Sequence, residues 1–477
     1  MTALIIIKCF FVLFLLPLIS LAVSAQDQLR PNIIIIFADD LGYGDLGCYG
    51  SELHKTPNID KLATNGLRFT DFYATAPFCY PSRASLLTGS YPARIDMGTD
   101  ENGYCVIFPG SSKGLNKNES TIATMLKKAN YKTACIGKWH LGDQPEFNPL
   151  NYGFDYYFGI PYSNDTGSEF ESKGVRHKIF EGLPPTPLLR NNNIIEAPVK
   201  QENITKRYTK ESIKFIKRNK NKPFFLYLPH TMPHNPVHSS RKFKGRSING
   251  GYGDAVEEID WSTGEIMKLL KRLKIDNNTI VIFTSDNGAA RAFGGSNGPL
   301  SGWKGSTLEG RMRVPCIIHW PSKIKDEIIS DEIATLMDFL PTVAEINNLA
   351  LPKFKIDGKS LLPILNGENI LNYQVFYYYL RDELQAVRMG DWKLILELEN
   401  PNNSCFKTRE KSLNSGLYNL KTDIQETTDL SEQEKDIVKC IKAEAEKIIK
   451  KLGTKNFHGK EVREASYIEN TGYLIRN

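Results

Sequence analysis

The sequence predicts an α/β fold built on a largely parallel sheet, and three observations point to it. Four short runs are almost continuously apolar and rich in β-branched or aromatic residues, as strands buried on both faces are. Segments with helical spacing separate them, which gives the alternation of a sheet covered by helices. Each run also ends in polar groups capable of chemistry. In open sheets of this kind, ligands bind beyond the carboxyl ends of the strands.

Residues 1–25 read as a secretory signal: Lys8 is their only charge, Phe10 to Val23 is nearly all apolar, and Val23-Ser24-Ala25 fits a small-residue cleavage site. No later stretch is long enough to span a bilayer, so no membrane anchor is expected after cleavage. The first strand, Asn32 to Phe37, runs into Ala38-Asp39-Asp40. Cys79 to Arg83 reads as a polar turn ahead of the helix-compatible run from Ala84 to Gly89. A helix is expected over Thr121 to Ala129, capped by Ser120. The second strand, Tyr131 to Ile136, runs into Gly137-Lys138-Trp139-His140, and the third, Pro223 to Leu228, into Pro229-His230 and on to His234. A helix from Asp254 to Leu273 precedes the fourth strand, Thr279 to Phe283, which runs into Thr284-Ser285-Asp286-Asn287-Gly288.

The pattern changes near residue 345, which divides a catalytic domain, 26–345, from a smaller α+β region, 346–477. Short strands are expected at Val375 to Tyr379, Ala386 to Met389, Trp392 to Leu396 and Leu417 to Leu420, the middle two joined as a hairpin at Gly390-Asp391. Glu432 to Leu452 reads as an amphipathic helix packed on that sheet through Ile437, Ile441, Ala445, Ile448 and Leu452. The tail beyond Gly453 gives no pattern.

Composition sets the class. Of 477 residues 41% are hydrophobic and 24% charged, and the net charge is +6, values of a globular protein. That mild balance admits anionic substrates and does not argue for nucleic acid. Eight Cys occur, none in a Cys-x-x-Cys arrangement, so a structural zinc site is not expected. Export permits disulfides among Cys48, Cys105, Cys135, Cys316, Cys405 and Cys440, with the pairing open. Asn118, Asn164, Asn203, Asn277 and Asn402 begin Asn-x-Ser/Thr sequons.

Asp39, Asp40, Asp286 and Asn287 are hard oxygen ligands at two strand ends and suit Ca²⁺ or Mg²⁺. Either pair alone is an ordinary turn or cap; both behind near-identical apolar strands point to a metal. Lys138 and His140 stand two apart, so an extended segment would turn both to one face.

The run Cys79-Tyr80-Pro81-Ser82-Arg83, continuing Ala84-Ser85-Leu86-Leu87-Thr88-Gly89, closely resembles the signature of the type I sulfatase family, and within it the arylsulfatase A-like and N-acetylgalactosamine-6-sulfatase-like group. Gly137-Lys138-Trp139-His140-Leu141-Gly142 resembles the family's second signature, and the Lys304 to Gly310 stretch its Lys-Gly-x-x-x-Glu-Gly pattern. One departure is Arg311, where a second Gly is usual; it bears on the backbone conformation after Gly310. Met232-Pro233-His234-Asn235-Pro236 matches the family's His followed two residues later by Pro, which favours His234 over His230, with His238 peripheral. The loop Phe158 to Asp165 resembles one that lends a Ser, here Ser163, to the sulfate; the sequon at Asn164 is expected to stay unmodified. The resemblance runs from about residue 30 to 440.

The resemblance implies an alkaline phosphatase-like α/β/α fold with a smaller domain of antiparallel sheet and helix. It implies a Cα-formylglycine made from Cys79 by a maturation enzyme, and one divalent cation, calcium before magnesium, on Asp39, Asp40, Asp286 and Asn287, with the oxygen at position 79 completing the shell. It implies that a hydroxyl of the hydrated aldehyde attacks the sulfur of a sulfate ester. Lys304 and His234 then assist the leaving alcohol, His140 deprotonates the second hydroxyl, and Arg83 and Lys138 hold the charge. A phosphate or phosphonate ester hydrolase, or a sulfated-glycan-binding module with unconverted Cys79, would share these residues. The natural substrate and a homo-oligomeric state are left open.

Overall fold

The computed structural model describes residues 30–169, 182–368, 373–398, 414–455 and 457–475. The signal segment, Cys9, Asn402 and Cys405 lie outside the described residues.

Ten strands form the main sheet. In chain order they are β1 Asn32–Ala38, β2 Leu67–Phe69, β3 Lys132–Ile136, β4 Tyr156–Gly159, β5 Leu188–Arg190, β6 Asn193–Glu196, β7 Phe224–Pro229, β8 Thr279–Ser285, β9 Cys316–His319 and β10 Ile328–Ser330. The spatial order is β10-β2-β9-β8-β1-β7-β3-β4-β5-β6. The four strands expected from the apolar runs, β8, β1, β7 and β3, are consecutive neighbours and all parallel. Ile34 pairs with Val281 on one side and Leu226 on the other. These strands therefore release their chains at one edge of the sheet.

The core explains why the runs are unbroken. Ile33, Ile35 and Phe37 of β1 join one apolar cluster, and Ile34, Ile36 and Ala38 join the other. The first cluster is closed by α2 Cys79–Thr88, α3 Ile122–Lys128 and α6 Phe339–Ile346, the second by α1 Pro57–Thr64, α4 Ile204–Asn219 and α5 Gly250–Leu273. Each fully buried Ile is worth about 1.5–3 kcal/mol relative to exposure. A polar residue on either face of β1 would lose that and add a desolvation cost. The layers are α/β/α.

A second sheet contains β11 Val375–Leu380, β12 Glu383–Met389, β13 Trp392–Ile395 and β14 Gly416–Asn419, antiparallel in that order. The helix α7, Lys435–Leu452, buries Ile441, Ala445, Ile448 and Leu452 against it, as the helical spacing predicts. Tyr73 and Met312 of the larger unit share this cluster.

Three local expectations change. The cap of α3 is Thr121, whose hydroxyl accepts from the Thr124 amide at 3.0 Å, so the helix begins one residue later than Ser120 would place it. α5 begins at Gly250, four residues before the expected Asp254; Gly250, Gly251 and Gly253 hide its first turn from a propensity reading. The tail is not featureless: Ser466–Tyr467 pairs antiparallel with Lys113–Gly114, and Arg463 bonds Glu119 at 2.6 Å.

Candidate active site

Cys79 opens α2, with Phe78 as the extended residue before it. The polar turn expected for Cys79 to Arg83 is thus the first turn of a helix, because Pro81 is tolerated there and Gly89 ends the helix in the left-handed conformation. All ten residues of α2 are buried. Arg83, one turn on, therefore points into the protein. Its guanidinium donates to Asp286 Oδ2 at 2.8 Å and to the Lys138 carbonyl at 2.9 Å, and lies 3.4 Å from Asp39 Oδ2.

The strand ends supply the rest. Asp39 and Asp40 leave β1, and Asp40 takes a positive φ of 60° that turns it back toward β8. Its amide bonds Asp286 Oδ1 at 3.1 Å. Lys138 leaves β3 and places Nζ 2.5 Å from Asp39 Oδ2 and 3.2 Å from Ser163 Oγ. The extended segment expected through Lys138 and His140 stops at Ile136. Gly137 has φ 145°, where a Cβ would lie 1.8 Å from the Pro229 carbonyl, and His140 has φ 58°. The turn sends Lys138 to Asp39 and His140 to Cys79.

His140 Nδ1 is 3.3 Å from Cys79 Sγ, and Nε2 is 3.1 Å from the Ile107 carbonyl. A carbonyl only accepts, so Nε2 carries the hydrogen and Nδ1 faces Cys79 with a free lone pair. Burial, together with Lys138 and Arg83, pushes the His140 pKa well down, so the ring is neutral. Burial pushes the Cys79 thiol up to about 11, so the atom beside His140 is an S–H donor.

His234 and Lys304 form a second pair. His234 Nδ1 donates to the Asn235 carbonyl at 2.5 Å, which leaves Nε2 to accept from Lys304 Nζ at 3.0 Å. Lys304 also bonds Asp40 Oδ2 at 3.0 Å. Burial, then Lys304, lower the His234 pKa. His230 is buried in the core beside Tyr208, and His238 is half-buried with its amide on the Met232 sulfur. Of the three, His234 is the one that reaches the carboxylates.

One residue of the site escapes sequence reasoning. Arg311 is completely buried; its guanidinium lies 2.9 Å from Asp40 Oδ1 and also bonds the carbonyls of Pro77 and Gly288. It sits in a short helical turn, Glu309–Met312, at a negative φ, so no glycine is needed there. A pattern with Gly at this position contains no hint of a cation. Ser163 is where the loop was expected, and Asn164 is buried with Nδ2 bonded to Gln201 at 3.0 Å.

Ligand atoms of Asp39, Cys79 and Asp286 lie within 4.8 Å of one another, as do those of Asp39, Asp40 and His234. Burial pushes Asp39 and Asp40 up, but Lys138 at the first and Lys304 with Arg311 at the second hold both below the usual range. Burial and the neighbouring Asp39 push Asp286 up to about 7 against the pull of Arg83. Two buried oxygens in this cluster, Asp39 Oδ1 and Asn287 Oδ1, have no hydrogen-bond partner. Unpaired acceptors at full burial fit a hard cation. The donor set is all oxygen apart from position 79 and His234, as calcium or magnesium requires.

Known proteins resemble this chain in sequence and fold. A sulfatase family model matches residues 31–348, and one described as N-sulphoglucosamine sulphohydrolase, C-terminal, matches 303–452. Steryl-sulfatase of Homo sapiens is 37% identical over 460 residues, covering 80% of this chain and 79% of its own. N-acetylgalactosamine-6-sulfatase of Homo sapiens is 39% identical over 380 residues, covering 76% and 71%. The solved PsFucS1 sulfatase from Pseudoalteromonas sp. has a TM-score of 0.78 and 29% identity, covering 89% of this chain and 91% of its own. By its family model, its relatives and its fold, the chain belongs to the sulfatase family and is a sulfuric ester hydrolase.

Proposed function

We propose that the protein cleaves the sulfate ester of a carbohydrate or an aryl alcohol through a Cα-formylglycine made from Cys79, with one calcium ion on Asp39, Asp40, Asp286, Asn287 and the oxygen at position 79. The observation that carries this reading is the pair of unpartnered buried oxygens, Asp39 Oδ1 and Asn287 Oδ1, in the carboxylate cluster at Cys79. Similarity to N-acetylgalactosamine-6-sulfatase supports a sulfated carbohydrate. The apolar leader, residues 1–25, supports export, and a formylglycine-generating enzyme is the implied maturation partner.

Charge supports an anionic substrate. Three carboxylates, Asp39, Asp40 and Asp286, face four cations, Arg83, Lys138, Lys304 and Arg311. A divalent ion adds two more positive charges, and the single negative charge of a sulfate ester offsets part of that excess. The ion, when bound, supplies Lewis-acid charge to the attacking and sulfate oxygens. Formylglycine, when formed, would supply a hydrated aldehyde, with two hydroxyls, where Cys79 Sγ stands.

The chain's own groups divide the remaining work. His140 Nδ1 takes a proton from the group at position 79, while the Ile107 carbonyl fixes its tautomer. Lys304 holds a proton against His234 Nε2 and is the donor to the departing alcohol. Lys138, with Ser163, binds the sulfate oxygens, and His234 positions Lys304 through its Nε2 lone pair. Arg83 spans Asp39 and Asp286 and keeps both in place.

The test is kcat/KM on 4-nitrophenyl sulfate against 4-nitrophenyl phosphate, using matured enzyme. The reading predicts a strong sulfate preference. A phosphate preference would make it a phosphoester or phosphonoester hydrolase of the same fold, and inactivity on both with unconverted Cys79 would leave a sulfated-glycan-binding module.

A further inference from the structure

Charge is unevenly distributed along the chain. Residues 200–246 contain thirteen Lys or Arg and two Asp or Glu, a net of +11, in a protein whose whole balance is +6. The remainder is therefore net negative, and the positive charge is gathered on two elements, α4 and the loop that leads to α5.

At the start of α4 a groove of about 600 Å³ is lined by Lys200, Lys206, Arg207 and Lys210, with Glu196 as the acid among its lining residues. Arg207 pairs with Glu196 at 2.5 Å. Lys200, Lys206 and Lys210 are exposed and form no ion pair among the described residues. The loop 241–246 exposes Arg241, Lys242, Lys244 and Arg246, likewise without ion pairs among the described residues. It is a fixed loop. Asp254 accepts from the amides of Gly245, Arg246 and Ser247 at 2.6–2.9 Å, Ser240 N–H bonds Glu258 at 2.8 Å, Phe243 is buried, and Lys242 lies 5.1 Å from the Trp261 ring centroid.

The two elements adjoin each other and the active site. Lys206 and Lys242 both act electrostatically on Glu258, and Glu202 and Lys244 both act on His238, four residues from His234. Gln201, beside Lys200, exchanges two hydrogen bonds with Asn164, at 2.9 and 3.0 Å, and Asn164 follows Ser163, the partner of Lys138. The cationic surface thus begins next to the residues that bind the reacting sulfate and extends away from them. A monosulfate ester ends at the catalytic pocket and has no charge to offer this surface. A chain with repeated sulfates does.

We infer that the groove at α4 and the loop 241–246 form an exosite for a linear polysulfated polysaccharide, gripping sulfates distant from the ester being cleaved. The inference rests on the sulfate-ester reading of the active site and adds the polymer to it. Binding by unpaired surface cations is screened by salt.

The experiment uses full-length matured enzyme freed of N-linked glycan, because Asn203 lines the groove and begins a sequon. The charge-reversed variant Lys206→Glu/Lys210→Glu/Lys242→Glu/Lys244→Glu is compared with it. Dextran sulfate is the polymer probe, and 4-nitrophenyl sulfate the small substrate. The expected result is at least a tenfold loss of dextran sulfate affinity at 0.1 M salt and a shallower salt dependence, with Tm and turnover of 4-nitrophenyl sulfate within twofold of wild type. Undiminished dextran sulfate affinity in the variant would overturn the exosite. So would equal wild-type affinity for phosphatidylserine vesicles or duplex DNA, or a glycan on Asn203 in protein from the native source. Failure of wild type to cleave 4-nitrophenyl sulfate or any sulfated sugar, with polymer binding intact, would instead remove the sulfatase reading and leave the surface standing.

Discussion

His140 shows how much rests on a single tautomer. Its Nδ1 lone pair faces Cys79 only because Ile107 accepts from Nε2. His140→Gln removes that base without exposing the site, and kcat is expected to fall about 10²–10⁴-fold on an aryl sulfate, with Tm close to wild type. A fall of less than threefold would exclude His140 as the base. Arg311 is a different case, a cation buried against Asp40. Arg311→Met leaves Asp40 with one partner fewer, and urea unfolding is expected to show a loss of about 3–5 kcal/mol. A neutral result would mean that Lys304 and Asn287 suffice to hold Asp40. Of these two residues, His140 was legible because its neighbours form a recognisable run. Arg311 was not, because its importance comes from where β1 and β8 carry Asp40 and Gly288, which no local pattern contains.

The elements explain why most site positions could be read. Asp39, Lys138 and Asp286 each follow an apolar run, and parallel pairing of β8, β1, β7 and β3 delivers all three to one edge. Elements whose role depends on distant partners were less visible. Asp254 reads as the start of a helix, yet it organises the loop seven to nine residues earlier. The second sheet likewise reads as a separate unit, yet it holds the Lys304 loop. Lys393 of β13 is fully buried and reaches Glu309 at 3.0 Å, Glu426 at 2.7 Å and the Thr307 carbonyl at 2.8 Å. Burial pushes Glu309 up, but Lys393, Arg388 and Arg313 outweigh it and hold the carboxyl at about 2, against an ordinary 4.5. A depressed acid contributes stability above its unfolded value and loses it as pH falls through its folded value. Glu309 is therefore expected to contribute acid sensitivity between about pH 4.5 and 2. Glu309→Gln should be less stable than wild type at pH 6 and lose less further stability across that window, as read by urea midpoints. Parallel pH profiles for the two proteins would contradict the assignment.

At the scale of the whole molecule, the two apolar clusters make a rigid α/β/α frame, and the second sheet and the returning tail close over one side of it. The frame gathers three carboxylates in one dry place, which a divalent ion would bind in the folded state alone. Saturating calcium at 100-fold over its Kd is therefore expected to stabilise the protein by about 2.7 kcal/mol, and a chelator to lower Tm until calcium is restored. An unchanged Tm would contradict the metal site. The fold class was legible from the apolar runs, and the sulfatase family from the run that begins at Cys79. The tail was not, since Ser466–Tyr467 finds its partner some 350 residues away without a strand-like pattern of its own.

The most direct test is the mass of the proteolytic peptide that contains Cys79, taken from active enzyme. The account predicts an aldehyde, or its hydrate, in place of the thiol, in proportion to specific activity. Full activity in protein whose peptide contains only unmodified Cys79 would contradict it.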